Sequence, residues 1–304
     1  MKMSRETFRR TLRGRGPVSL KSSTAKKREG EILHVAKSPV VTMTSTTPIY
    51  DAVKIMAKEG FRRIPIADPG TKALAGIVTA TDLVDYLGGG RKFEIVQQKF
   101  SGNIFKAINE PIKIIMTQKV FSVKTTAKIS EAVQLMKEKN VGGLPVVDEE
   151  NRVRAIITER DIARMFSDRI SGVKVSHLMT SKVVTALPKT TIFEAEKTMI
   201  THGFRRLPIV ADGKVAGIVT AMDIIRFFGS GEVFKHLQSG TITQVLNTPA
   251  LQIATKEVAT IEPEADVGQA AKIMKEKNLG ALPVIQNEKL VGIITERDFF
   301  KIIE

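Results

Sequence analysis

The sequence predicts an α/β (α+β) protein made of four β-α-β-β-α repeats that form two modules. Three observations predict this fold. A Thr-x-x-Asp motif follows a short apolar run four times, as TATD, TERD, TAMD and TERD, beginning at Thr79, Thr158, Thr220 and Thr295. An amphipathic segment precedes each motif, and the segment 101–112 aligns with the segment 239–250. Repetition of this kind indicates one supersecondary unit that stacks on its copies.

Each repeat begins with a short β-type run and an amphipathic helix. The runs are VVTM from 40, VFSV from 120, VVTA from 183 and VATI from 258. In the first helix, Ile49, Ala52, Val53 and Met56 have the i, i+3, i+4, i+7 spacing of one helix face, and repeats 2 and 4 keep it. Glu196 interrupts the stripe in repeat 3. We expect these stripes to lie in the core.

A second strand, a third strand and a closing helix complete each repeat. The second strand contains a proline in all four copies, at Pro65, Pro145, Pro208 and Pro283. Because proline has no amide proton to give to a β ladder, we expect this strand to lie at a sheet edge or to begin at the proline. The third strand ends at the Thr-x-x-Asp motif, where the closing helix begins.

The repeats belong to a duplicated block of two. Repeats 1 and 3 share GFRR, whereas repeats 2 and 4 share TERD, and the segment 101–112 aligns without a gap on 239–250. We therefore expect a first module over 31–172 and a second module over 173–304. The repeats lie at about 34–91, 113–172, 176–232 and 251–304. A unit of this size buries too little surface to be comfortably stable alone, which favours pairing.

The composition limits the classes of function. The chain of 304 residues contains no cysteine, which excludes disulfides, thiol nucleophiles and cysteine-ligated metal centres. No stretch approaches the roughly 18–20 consecutive apolar residues that span a bilayer, and no secretory signal is visible. We expect a cytoplasmic protein without a membrane span.

The net charge of +15 is concentrated at the N-terminus. Residues 1–30 contain ten Lys or Arg against Glu6 and Glu29. We interpret this segment as a flexible basic arm that acts as a solubilising tail. The alternative is an arm that binds nucleic acid through counterion release, with the repeats as the ligand-responsive part of a nucleic-acid-associated regulator.

The repeated Thr-x-x-Asp motif has a structural and a functional interpretation. The structural one is a capping box, in which Thr and Asp satisfy the first amides of the closing helix. The functional one is a nucleotide site, since a carboxylate accepts from two ribose hydroxyls and a helix N-terminus favours a phosphate. A small residue in the third strand would let a flat group approach the backbone, and each repeat has one, at Gly76, Ala155, Gly217 and Gly292.

Four arginines are candidates for phosphate binding. Arg62 and Arg205 lie where the first helix turns into the second strand, and Arg160 and Arg297 lie in the first turn of the closing helix. Cations are disfavoured at a helix N-terminus, and a bound phosphate would reverse that penalty. The alternatives are solvated surface charges, or ion pairs with Glu159 and Glu296.

The repeats resemble CBS domains, and each block resembles a CBS pair, or Bateman module. The features that carry the resemblance are the Thr-x-x-Asp motif after an apolar strand, the Ala-to-Met helix and the LPV strand. The resemblance implies an adenosyl ligand such as AMP, ADP, ATP or S-adenosylmethionine, with NAD as a further candidate. It implies that Asp82, Asp161, Asp223 and Asp298 hold the ribose and that the four motif threonines help to hold the phosphate. It also places Arg62 and Arg205 at the phosphates and four residues near the adenine, namely Thr42, Ser122, Thr185 and Thr260.

The sequence favours a regulator over an enzyme. No cysteine, metal-binding histidine spacing or Gly-rich phosphate loop forms a reacting constellation. We expect a stand-alone, non-enzymatic protein that senses energy charge or a related metabolite. Its expected assembly is a homodimer or a disc of both modules within one chain, and the sequence does not identify the protein that it regulates.

Overall fold

A computed structural model describes residues 31–231, 233 and 242–303. The basic arm over 1–30 lies outside these residues, so neither interpretation of it is tested. In the described part, no helix is both long and apolar enough to cross a membrane.

The structure confirms the predicted mixture of helices and strands. The strands are β1 (Arg63–Ala67), β2 (Leu74–Thr79), β3 (Val123–Lys124), β4 (Gly143–Val147), β5 (Val153–Thr158), β6 (Arg206–Ala211), β7 (Lys214–Thr220), β8 (Ala281–Gln286) and β9 (Lys289–Thr295). The helices are α1 (Ile49–Glu59), α2 (Ala80–Val84), α3 (Phe93–Phe100), α4 (Ile104–Ile108), α5 (Ile129–Glu138), α6 (Glu159–Arg164), α7 (Val175–Leu178), α8 (Ile192–His202), α9 (Ala221–Gly229), α10 (Thr243–Leu246) and α11 (Val267–Glu276). A π-turn (Asp85–Gly89) follows α2, and the last repeat closes with a 3-10 helix (Glu296–Ile302).

The predicted first strands are shorter than expected, and proline is the reason. Only β3 is a strand of two residues, while repeats 1, 3 and 4 have single parallel bridges. In repeat 1, Met43 donates to the carbonyl of Pro65 and accepts from the amide of Ala67. The next parallel bond would need an amide proton on Pro65, which proline lacks, so the ladder ends there. β1, β6 and β8 each form one edge of a two-stranded sheet, as expected for the proline strand, whereas β4 lies between β3 and β5, so the expectation was wrong for repeat 2.

Backbone hydrogen bonds link repeat 1 to repeat 2 and repeat 3 to repeat 4. Each repeat begins with a segment that ends at its parallel bridge to the second strand of the same repeat. We call this segment the lead segment (35–43, 115–123, 178–186 and 253–261). Each lead segment pairs with the third strand of the other repeat, through the bridges Lys37–Ile156, Thr117–Ile77, Thr180–Ile293 and Thr255–Ile218. Neither repeat of such a pair has a complete sheet without its neighbour.

The small residues of the third strands make room for these lead segments. A Cβ built on Gly76 would lie 3.1 Å from the carbonyl oxygen of Thr117, and one on Gly217 would lie 3.1 Å from that of Thr255. Gly292 approaches Thr180 in the same way, and Ala155 is fully buried. The interpretation that the small residues admit a flat ligand was wrong, because the neighbouring backbone occupies that space.

The helices pack across the two modules. One apolar core joins repeat 1 to repeat 3, with α1 against α9, and a second core joins repeat 2 to repeat 4, with α6 against the final 3-10 helix. All four repeats therefore meet around a common centre within one chain.

Gly229 sets the distance between α1 and α9, and Gly229→Val is expected to destabilise the chain. A Cβ at this position would lie 2.7 Å from the Cβ of Ala57 and 3.3 Å from the carbonyl oxygen of Val53. Overpacking of this kind costs about 1–3 kcal/mol, which thermal unfolding would detect as a lower midpoint. Gly70→Val is the control, because a Cβ there meets only the Asp68 carboxylate at 3.5 Å. Equal midpoints for the two variants would contradict the close helix contact.

Candidate functional site

The four Thr-x-x-Asp motifs all form capping boxes in the structure. In each, one carboxylate oxygen, Oδ2, accepts from the backbone amide of the threonine at 2.8–2.9 Å. The same oxygen also accepts from the threonine hydroxyl. The capping role therefore occupies Oδ2, while Oδ1 accepts from a cation in three repeats, from Lys92 at Asp82, from Arg226 at Asp223 and from Lys301 at Asp298.

An open cleft lies between repeats 3 and 4 beside Asp223, and we call it the Asp223 cleft. Thr220 and Asp223 form one wall, and the lead segment of repeat 4 forms the opposite wall with Glu257, Val258 and Ala259. Oδ1 of Asp223 accepts from Arg226 at 3.0 Å. The Arg226 side chain is 55% exposed, so it can turn into solvent and release this oxygen.

Arginines from three repeats reach the inner end of the Asp223 cleft. Arg62 of repeat 1, Arg160 of repeat 2, and Arg205 and Arg206 of repeat 3 line it. Arg62 belongs to the opposite module, so the cleft is completed across the interface between the modules. The structure thus brings three of the four predicted phosphate-binding arginines together with Thr220 and Asp223.

The inner end of the cleft opens on a central cluster of charged residues. We use this name for Arg62, Arg63, Arg160, Arg205, Arg206, Arg297, Glu159 and Glu296. Glu296 accepts from Arg160 at 2.9 Å and also from Arg62. Glu159 accepts from Arg205 at 2.6 Å and also from Arg297. Each glutamate therefore binds the arginine of the other TERD motif, rather than the one beside it in sequence.

The central cluster contains six guanidinium groups but two carboxylates, and its pKa values reflect this excess. Burial and the nearby Arg205 guanidinium lower the pKa of Arg63 to about 9. Burial and the Arg62 guanidinium lower the pKa of Arg206 to about 9. Although burial alone would raise the pKa of Glu159, the guanidinium groups of Arg205, Arg297 and Arg63 outweigh it and lower this pKa to about 2. The cluster is therefore a buried environment that favours a further anion.

Glycines of repeats 2 and 4 make room for the arginine pairs of repeats 1 and 3. A Cβ on Gly142 would lie 2.8 Å from an Arg63 nitrogen, and one on Gly280 would lie 2.8 Å from an Arg206 nitrogen. Nη1 of Arg63 is buried without a hydrogen-bond partner among the described residues. The Arg-Arg sequences of repeats 1 and 3 therefore fit in space against the Gly-Gly sequence of repeat 2 and the Gly-Ala sequence of repeat 4.

Of the residues predicted to lie near the adenine, Thr260 stands beside the Asp223 cleft but does not line it. Thr42, Thr185 and Thr260 are exposed and Ser122 is partly exposed, each directly before the bridging residue of its lead segment. The residue one position earlier lines the Asp223 cleft, at Ala259. In the other repeats this position carries a large apolar side chain that is 38–45% exposed, at Val41, Phe121 and Val184.

The other three aspartates lie in different surroundings. Asp82 is paired with Lys92, and Asp298 is paired with Lys301 at 2.6 Å. Burial raises the pKa of Asp161, against the hydrogen bonds from Thr158. Thr79, Thr158 and Thr295 cap their helices beside these aspartates, and Arg297 meets Asn140 and Glu159 at the centre. In the described part of the chain, no cluster of His, Asp and Glu could hold a metal ion.

Sequence reasoning missed the partners of the predicted residues. Glu159 and Glu296 were considered only as partners of the neighbouring arginines, and their pairing across repeats needs the three-dimensional fold. The asparagines that accept from Arg297 and Arg160, Asn140 and Asn278, carried a signal, since repeats 2 and 4 share an Asn-x-Gly sequence there. Lys92 carried none, because it lies in a linker outside the repeated motifs.

Comparisons with known proteins agree with the repeat structure. The chain is 38% identical over 264 residues to the uncharacterized protein MJ1225 of Methanocaldococcus jannaschii, which covers 86% of this chain and 94% of that protein. It is 35% identical over 260 residues to an uncharacterized 33.4 kDa protein of Thermofilum pendens, covering 86% of each.

Solved structures and a family model give the same result. The crystal structure of MJ1225, described as a proposed archaeal homologue of γ-AMPK, superposes with a TM-score of 0.85 at 36% identity over 89% of this chain and 98% of that one. A Pyrococcus horikoshii protein of 22% identity shares the fold, with a TM-score of 0.57 over 88% of this chain and 97% of that one. The CBS domain model matches residues 30–89, 112–168, 175–230 and 250–304. The predicted resemblance is confirmed, and the chain belongs to the CBS-domain family, with four copies of the domain.

Proposed function

We propose that this chain is a non-enzymatic regulatory protein that binds an adenine nucleotide in the Asp223 cleft and responds to AMP, ADP or ATP. The observation that carries the proposal is the meeting of Asp223, an apolar wall and arginines from three repeats in one open cleft. S-adenosylmethionine and NAD share the adenosine group and are the alternative ligands.

The aspartate supplies the ribose contact. Its Oδ1 faces the cleft, while Oδ2 keeps the helix cap. A carboxylate oxygen accepts readily from sugar hydroxyls, and these would replace the exposed Arg226. The cap fixes the carboxylate in place before the ligand arrives, which reduces the ordering cost of binding.

The lead segment of repeat 4 supplies the adenine contact. Val258, Ala259, Ile218 and Pro283 all line the cleft, which gives a flat base an apolar surface. The exposed Val41, Phe121 and Val184 at the position of Ala259 support a shared role of this position in base stacking.

The arginines supply the phosphate contacts and the link to regulation. A phosphate at Arg62, Arg160 and Arg205 would take over guanidinium groups that Glu159 and Glu296 now hold. Because Arg62 belongs to the first module, the ligand would contact both modules at once. The number of phosphates on the ligand would then decide how many of these arginines leave Glu159 and Glu296. The size of the response is limited by the difference in ligand affinity between the arrangement with these ion pairs and the arrangement without them. A partner protein would read this change.

Asp223→Asn is expected to weaken AMP binding about 10–100-fold, because it removes the acceptor for the ribose while an amide oxygen can keep the cap. Isothermal titration calorimetry with AMP, ADP, ATP, S-adenosylmethionine and NAD measures this directly. In the wild type, the preferred ligand at 100 times its Kd should add about 2.7 kcal/mol of stability in a thermal-shift experiment.

Asp212→Asn is the matched control, since Asp212 lies exposed in the turn between β6 and β7 of the same repeat. It should bind like the wild type. If none of the five ligands stabilises the wild type, or if Asp223→Asn binds as tightly as Asp212→Asn, the proposal is wrong and the clefts serve only as structural joints.

A further inference from the structure

Lys92 bridges Asp82, the counterpart of Asp223 in repeat 1, and the lead segment of repeat 2, and we call the position between them the Asp82 cleft by analogy. Its ammonium donates to Oδ1 of Asp82 and, at 2.7 Å, to the carbonyl oxygen of Ile115. Ile115 begins the lead segment of repeat 2, two residues before the bridging Thr117. The Lys92 side chain is 27% exposed and the Asp82 side chain 14%, so the pair is largely withdrawn from solvent.

Lys301 makes the same two contacts between Asp298 and the lead segment of repeat 3, the position that we call the Asp298 cleft. Its ammonium donates to Oδ1 of Asp298 at 2.6 Å and to the carbonyl oxygen of Leu178 at 2.5 Å. Leu178 stands two residues before the bridging Thr180, as Ile115 stands before Thr117. The two lysines come from different places, since Lys301 lies three residues after its aspartate and Lys92 ten residues after its own.

The Asp223 cleft lacks this arrangement among the described residues. There Oδ1 of the aspartate meets the exposed Arg226, and the arginine has no hydrogen bond to Ile253, the residue two positions before Thr255. Each lysine ammonium is thus bound to a carboxylate on one side and to a carbonyl on the other, whereas the Arg226 guanidinium is bound to the carboxylate alone among these contacts.

We propose that Lys92 and Lys301 are internal latches that occupy the ribose positions of the Asp82 and Asp298 clefts and make the nucleotide sites of one chain unequal. The inference rests on the proposed function of the Asp223 cleft. A nucleotide at Asp82 or Asp298 must displace a lysine that is also bound to a carbonyl of the facing lead segment, whereas a nucleotide at Asp223 displaces an arginine whose hydrogen bond is to the aspartate. The Asp223 cleft therefore fills first, and the latched clefts fill at higher ligand concentration or not at all.

The latch also joins the two repeats of a module. Lys92 connects the closing helix of repeat 1 to the lead segment of repeat 2, and Lys301 connects repeat 4 to repeat 3.

Calorimetry with AMP on the full chain tests the latches. Lys92→Met keeps most of the apolar stem but removes the ammonium. We expect the variant to bind AMP at the Asp82 cleft about tenfold more tightly than the wild type does, which calorimetry would record as an added binding event. Lys92→Met combined with Asp82→Asn should remove the added event. Lys301→Met with Asp298→Asn forms the parallel pair. Lys99→Met is the control, because Lys99 is 56% exposed and pairs with Glu110.

The outcomes separate the latches from the proposed function. A gain in stoichiometry or affinity that depends on Asp82 supports the latch. AMP binding that depends on Asp223 but does not change in Lys92→Met and Lys301→Met overturns the latches and leaves the proposed function intact. Absence of AMP binding in all variants overturns both.

Discussion

Glu159→Gln is expected to destabilise the chain by about 3–5 kcal/mol at pH 7, the range for removing one partner of a buried ion pair. The Glu159 side chain is 2% exposed and receives Arg205 and Arg297. Without its charge, these arginines and Arg63 would remain buried beside one another with less negative charge to offset their repulsion. Thermal or chemical unfolding measures the loss, and inorganic phosphate should restore more stability to the variant than to the wild type.

Glu150→Gln is the control, because Glu150 is 65% exposed in its pair with Arg152 and such pairs contribute about 0–1 kcal/mol. The pH dependence gives a second check. The pKa of Glu159 is lowered to about 2 in the folded chain, so its contribution is present above the unfolded value of 4.5 and is lost as the pH falls towards 2. The two variants should therefore converge in acid, and similar losses at pH 7 would refute a stabilising role of the central cluster.

Glu196→Met is expected to stabilise the chain by about 1–3 kcal/mol at pH 8, because it removes a buried carboxyl that has no hydrogen bond. Glu196 is fully buried, and neither oxygen has a partner among the described residues. It faces Gly88 of the π-turn, whereas its counterpart Val53 in repeat 1 faces Gly229 of α9. Methionine has a similar length and suits this apolar contact.

The stabilisation should depend on pH in a defined direction. Burial raises the pKa of Glu196 well above its usual value of 4.5. The folded chain therefore keeps a proton that the unfolded chain loses, so the wild type is most stable, relative to Glu196→Met, below pH 4.5 and loses stability as the pH rises through the folded pKa. Unfolding midpoints of the wild type, Glu196→Met and Glu196→Gln between pH 5 and 8 measure this. A wild-type stability that runs parallel to Glu196→Gln over this range would exclude a buried titrating carboxyl.

The sequence predicted the repeats because their signals are local. The helix stripes need only the periodicity of residues such as Ile49 and Met56, and the Thr-x-x-Asp motifs need only four consecutive positions. The short first strands were not predicted, although Pro65 is plain in the sequence. Their length depends on which segment pairs with the proline strand, and the sequence alone does not show that pairing. The four aspartates look alike in the sequence and differ in the structure, because Lys92, Arg226 and Lys301 reach them from different elements. Pairing of Glu159 with Arg297 spans 138 residues and has no local signal.

The contact between Glu196 and Gly88 also distinguishes the duplicated halves from each other. Two copies of the second module joined face to face would place an unsatisfied acid at both helix crossings, whereas the union of unlike halves places it at one. A glutamate at this single core position therefore favours the pairing of the two unlike modules over the pairing of two second modules.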